Sequence, residues 1–133
     1  MAAPQKPLEM ILARNLLSAL STPALLLDGP GRIVFFNDAA ACLIGKRFEE
    51  TGPISHEQWR ASVGPFDAEG EVIPFRELPL TGDLRGGHAG HQRHLLRPAD
   101  TDHLVEFDVT GLPIVATGGG FRGAMVFFWR AER

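Results

Sequence analysis

At 133 residues, with 44% hydrophobic and 22% charged residues and a net charge of −3, the chain holds one domain's worth of core-forming sequence in the balance of an ordinary globular protein. No basic excess marks a nucleic-acid footprint, and a single cysteine excludes an internal disulfide. Met1–Pro7 lacks the apolar core of a signal peptide, and the longest apolar run, Ala124–Trp129, falls far short of the ~20 residues that span a bilayer, so no membrane partner is expected and the cytoplasm is the default compartment.

From Leu8 to Leu20 apolar residues recur at three- and four-residue spacing (Leu8, Ile11, Leu12, Leu16, Ala19, Leu20), which predicts an amphipathic helix. Its stripe either packs on the domain's own sheet or pairs with a second copy, and both readings stand at this point. Two short apolar runs follow, Pro23–Leu27 and Arg32–Phe36, split by Asp28-Gly29-Pro30-Gly31, whose residues impose or tolerate turn geometry. This is a β-hairpin. Asn37-Asp38 then offers N-cap side chains to a helix over 39–44, which Gly45 ends. Ile54–Val63, with Ser55 as cap, reads as another helix, and Pro79 opens a third over Leu80–Arg85. Three strands complete the chain: His91–Pro98, His103–Ala116 and Phe121–Arg130. In the second, Val105, Phe107 and Val109 alternate with polar residues, the mark of one buried face. The third is apolar on both faces from Ala124 to Trp129, so it is expected to be central, with the Leu8–Leu20 helix covering the side away from the other helices.

Order and spacing across nearly the whole chain resemble a PAS sensory domain of the bacterial sensor-kinase type. The resemblance is carried by Asp28-Gly-Pro-Gly-Arg-Ile33 in the hairpin, Asn37 closing the second strand, the small-residue helix ending Ile44-Gly45, the stretch DAEGEVIPFRELPLTGDLRGG over 67–87, Arg97-Pro98, Leu112-Pro113 and the early Gly123 of the last strand. It implies an α+β fold: a PAS-like five-stranded antiparallel sheet with short helices over one face, preceded by an N-terminal amphipathic helix. Residues 1–20 are then a flanking helix and 21–133 the sensory domain. The implied function is signal transduction by binding a small ligand or a protein partner, as a homodimer through Leu8, Ile11, Leu12, Leu16 and Leu20, with an effector domain in cis or a partner protein in trans. Sensor kinases follow the last strand with an Asp-x-Thr step into a signalling helix; here Trp129-Arg-Ala-Glu-Arg133 stands in that place. A dimerisation module without ligand and a small-molecule enzyme using the same cavity are the alternatives.

The cavity expected between sheet and helices has Phe35, Cys42, Ile44, Phe48, Trp59, Leu78, Leu84, Leu96, Phe107 and Phe127 as candidate lining, an almost wholly apolar set. No catalytic residue is expected: the chain lacks a Gly-x-x-x-x-Gly-Lys loop, His-Glu-x-x-His and Gly-x-Ser-x-Gly, and adjacent Ser55-His56 is no nucleophile and base pair. No metal site is expected either. His88, His91 and His94 lie three apart, so on a strand they point to different faces, and they read as surface histidines. The resemblance leaves the cofactor open. Haem would call on His88, just past the Leu80–Arg85 helix, whereas flavin is not expected, because Cys42 sits in Ala-Ala-Cys-Leu-Ile rather than the Asn-Cys-Arg-Phe-Leu motif of the light-sensing subgroup. Cys42 then reads as a small buried apolar residue.

Overall fold

The computed structural model describes residues 8–116 and 118–131. The Met1–Pro7 stretch, Thr117 in the last connection and the terminal Glu132-Arg133 lie outside the described residues. The elements run α1 (Leu8–Ser18), β1 (Ala24–Asp28), β2 (Ile33–Phe36), α2 (Asp38–Ile44), α3 (Phe48–Thr51), α4 (His56–Ser62), α5 (Pro79–Arg85), β3 (Gly90–Leu96), β4 (Val105–Val115) and β5 (Phe121–Arg130), with a 3-10 turn at Phe75–Glu77 before α5. The short α3 has no counterpart in the sequence reading. No described helix is long and apolar enough to cross a membrane.

The five strands form one sheet in the order β2-β1-β5-β4-β3, every neighbouring pair antiparallel. The doubly apolar β5 is the central strand. Its residues divide by parity: Ala124, Val126 and Phe128 enter the core beneath α2, α4 and α5, while Met125 and Phe127 face the other side with α1. Helix α1 packs on β1, β2 and β5 through Met10, Ala13 and Leu17, spaced three and four apart on one face. Gly123, with φ of 156°, begins the shared stretch of β5 and β1, where a β-carbon would collide with the carbonyl of Leu27.

Local chemistry starts and stops the helices. Ser55 caps α4 by accepting from Gln58 N at 3.1 Å, while Gln58 reaches back to Ser55 N at 2.8 Å, a reciprocal capping box. Pro79 occupies the first turn of α5, where its missing N–H costs nothing. Gly45 closes α2 in the left-handed conformation at φ 84°.

Asn37 caps α2 and does more. Its Oδ1 accepts from Ala40 N at 3.0 Å and from Ala24 N at 3.1 Å. Its Nδ2 donates towards the carbonyls of Leu17 (3.0 Å), Leu20 (3.4 Å) and Thr22 (2.8 Å). Only 2% of the residue is exposed, so each bond broken leaves a desolvated group behind.

Asn37→Ala is expected to lose about 3 kcal/mol of stability, the sum of a lost cap and several orphaned buried groups. Asn37→Asp keeps the acceptor that starts α2 but turns a carboxylate oxygen on three carbonyls. Amide hydrogen exchange should therefore rise selectively in α1 for the aspartate variant and in both helices for the alanine variant. Equal exchange in α1 and α2 for the two variants would show that the amide nitrogen does not hold α1.

Candidate functional site

The inner face of the sheet and helices α4 and α5 enclose a cavity whose volume open to water centres is about 60 Å3. Leu25 and Leu27 of β1, Ile33 of β2, Val109 of β4 and Val126 and Phe128 of β5 form its floor. Trp59 from α4, Phe75, Leu78 and Leu80, Thr81 and Leu84 from α5 form its roof. Trp59 lies over Phe128 with ring centroids 5.6 Å apart.

Four residues of the sequence-derived lining set, Trp59, Leu78, Leu84 and Leu96, line this cavity. Phe107 is buried in the same inner core without reaching the cavity wall. Ile44 packs at the margin of that core and lines a separate surface groove with Trp59 and Val63. Phe48 wraps the edge strand β2, meeting Phe35 and Phe36 edge-on at 5.2 and 5.4 Å.

Three placements correct the sequence reading. Phe35 lies on the α1 side: Leu26 pairs with Phe35 and Leu27 with Ile33, so a bulge at Val34 turns Val34 and Phe35 to the same face. Phe127 also faces α1, because Val126 and Phe128 hold the inward parity of β5. Cys42 is exposed rather than buried, since α2 turns Ala40 and Leu43 inward and Cys42 lies off that face.

The lining is also less apolar than expected. His56 and Arg60, one turn apart on α4, and His94 of β3 reach the same cavity. His94 is thus not a surface histidine: its alternation with Leu96 sends both inward, leaving 7% of His94 exposed. Its Nε2 and the Nε of Arg60 are buried without a hydrogen-bond partner among the described residues. Thr81 donates its hydroxyl proton to Phe75 O at 2.7 Å. His56 stacks on Phe75 at 5.1 Å between centroids. The signal available in the sequence was the two-residue step from Leu96, already an expected lining residue.

The other histidines lie elsewhere. His91 points to the opposite sheet face, bonded to Thr110 Oγ1 at 2.7 Å and Asp108 Oδ1 at 3.2 Å. His88, through which haem would be held, is exposed in the turn after α5, and the inner cavity has room for a few waters rather than a porphyrin or a flavin ring. Among the described residues, no group of three or more His, Cys, Asp or Glu is placed to hold a metal ion.

Solved structures that superpose on this chain over most of its length include PAS domains. That of BvgS from Bordetella pertussis superposes with a TM-score of 0.57 at 12% identity, covering 94% of this chain and 87% of that one. The chain has the PAS fold. A PAS domain from a two-component sensor histidine kinase matches with a TM-score of 0.60 at 13% identity over 96% of this chain and all of that one. The PAS domain of nitrogen regulation protein NR(II) from Vibrio parahaemolyticus matches at 0.55 and 17% identity, over 90% and 98% of the two chains. By sequence, no family model and no curated protein matches. The cavity lies between the sheet and the helices, and His94 lines it.

Burial lowers the pKa of His94 from its ordinary 6.5 to about 4. The unfolded chain therefore takes up a proton at this residue as pH falls through 6.5, while the folded chain resists until about 4. This contribution is absent above the upper value and costs on the order of 3 kcal/mol once pH reaches the lower one. In urea unfolding across that window, His94→Leu should lose stability less steeply with acidification than wild type. Parallel slopes would show that His94 titrates normally in the folded protein.

Proposed function

We propose that this chain is a sensory signal-transduction module that binds a small ligand in its inner cavity, pairs with a second copy through α1, and passes the ligand's presence to an effector in cis or in trans. The observation that carries the reading is the inner cavity itself. Buried, unpartnered polar groups of His94 and Arg60 line a space walled, apart from His56 and Thr81, by apolar residues. A domain that only needed a core would fill that space with side chains. Neighbours of the same fold come from a two-component sensor histidine kinase and a nitrogen regulation protein, which supports a sensory role.

The proposed dimer rests on the other side of the sheet. Met10, Ala13 and Leu17 secure α1 to the domain, and the opposite face presents Leu8, Ile11, Leu12 and Leu16 at 65, 42, 58 and 51% exposure. Leu20, also named for pairing, is partly buried against the cluster beneath α1. A second copy of the helix supplies an apolar partner for the four exposed residues. Catalysis is not proposed: no described carboxylate lines the cavity to orient His94, and the hydroxyl of Thr81 is bonded to backbone.

Native mass spectrometry of the purified protein and sedimentation over a concentration series test both parts. The expected result is a dimer that Leu12→Asp with Leu16→Asp converts to a folded monomer whose melting temperature no longer depends on protein concentration, because neither side chain is in the core. A wild-type monomer at high concentration would overturn the pairing. Added mass on the folded protein supports the ligand reading.

A further inference from the structure

The ligand-binding reading of the cavity is taken one step further by the chemistry of its wall. Three basic side chains reach it, His56 and Arg60 from α4 and His94 from β3, and no Asp or Glu among the described residues does. Arg60 forms no ion pair with a described residue, so its permanent charge has no counter-ion there. The Nε of Arg60 and the Nε2 of His94 are the buried side-chain atoms left without a hydrogen-bond partner among the described residues, and both belong to this wall. Arg60 Nε–H can only donate, and neutral His94 donates from Nε2 in one of its two tautomers. The proton of Thr81 is already spent on Phe75 O. The wall is therefore rich in donors and short of acceptors.

We propose that the inner cavity takes a short-chain monocarboxylate, its carboxylate held by Arg60 and His94 and its alkyl tail lying against Trp59, Leu84, Val126 and Phe128. A carboxylate presents two oxygens, one for each orphaned donor, and neutralises Arg60. A neutral carbonyl would leave the charge unmet. Inorganic phosphate and dicarboxylates fit poorly, because beyond the three basic side chains and the already bonded Thr81 the wall is apolar, and a second charged group would lie against it. Size sets the tail length. A volume of about 60 Å3 for water centres corresponds to about four or five water positions, hence an acid of roughly four to six non-hydrogen atoms. The partly exposed His56 and Arg60 put the polar end towards the α4 side.

The test is calorimetry and methyl NMR on the full chain near neutral pH, with butyrate, butyramide, butylamine and inorganic phosphate as separate probes at millimolar concentration. Butyrate is expected to bind and to shift the methyl signals of Leu84 and Val126. Butyramide should bind about tenfold more weakly or worse, and the amine and phosphate should leave those signals unmoved. Arg60→Met, which keeps the stem of the side chain, should weaken butyrate binding by about tenfold or more while leaving the methyl spectrum folded. Should that variant not fold, His94→Leu, which removes the other donor, carries the same expectation. Butyramide binding as tightly as butyrate, or binding unaffected by either variant, would overturn the carboxylate while leaving the cavity a ligand site. If none of the four probes moves the methyls, the carboxylate falls, and xenon under pressure decides the rest. Entry of xenon at Leu84 and Val126 keeps the cavity as an apolar site, and its exclusion removes the ligand reading as well.

Discussion

The structure hangs on one side chain. Asn37 ends β2, starts α2, pairs with β1 and ties down the end of α1, through the amide of a residue only 2% exposed. Aspartate could supply the cap and lysine could reach the carbonyls, but the asparagine amide sets two N–H donors beside an acceptor oxygen, where a serine hydroxyl has a single proton to give. The bonds are coupled because the same planar group makes them all. Rotating it to favour α2 would move it away from Leu17 and Thr22. Against a domain stability of about 5–15 kcal/mol, losing this hub is a large share, whereas the exposed Arg47 to Asp38 and Glu49 ion pairs contribute little.

This hub joins the two sides of the sheet that the proposed function uses. Outside, α1 is held with its leucines facing outward. Inside, β1 turns Leu25 and Leu27 into the cavity while Ala24 and Leu26 lie under α1. A rearrangement of the inner wall that displaced β1 would be felt at once by Leu17 and by the amide of Asn37. Close packing makes such a strand a stiff connector, since neither face has slack to absorb the movement. The guanidinium of Arg14, 4.7 Å from the ring of Phe35 and 5.3 Å from that of Phe48, adds a second, weaker clasp between α1 and β2.

Most of the scaffold was legible in the sequence because the signals were local. Asp28-Gly-Pro-Gly31 makes a turn wherever it stands, Ser55 and Asn37 announce helix starts, and a strand apolar on both faces belongs in the middle of a sheet. The site was less legible, since its errors arise from parity. Phe127 was placed in the cavity lining with nothing to fix its side, because every residue from Ala124 to Trp129 is apolar and alternation carries no information there. Phe35 was misplaced by a single bulged residue, Val34, which no local pattern marks. Cys42 depended on which side of a seven-residue helix faced the core, and Ala39-Ala40-Ala41 left that open. His94 was overlooked for a different reason: a histidine among histidines reads as surface until its partner in alternation, Leu96, is weighed against it.

The polar groups missed in the wall support the proposed ligand reading among those that the sequence left open. An apolar cavity alone would suit a packing defect, a greasy ligand or nothing at all. Buried donors without acceptors are harder to account for as structure, because leucine at position 94 would satisfy the core without the penalty of desolvating an imidazole. A triad-type arrangement would set an acid behind His94 to hold its tautomer, and no described Asp or Glu lines the cavity. A pairing module would need no polar wall in the first place. Binding asks only for complementary charge and shape, which is what Arg60, His94 and the leucine-rich floor together provide. Under the proposed ligand reading, part of the cost of keeping His94 buried and unpaired is recovered when an acceptor enters, and only the share of that gain that differs between two arrangements of the sheet would shift its conformation.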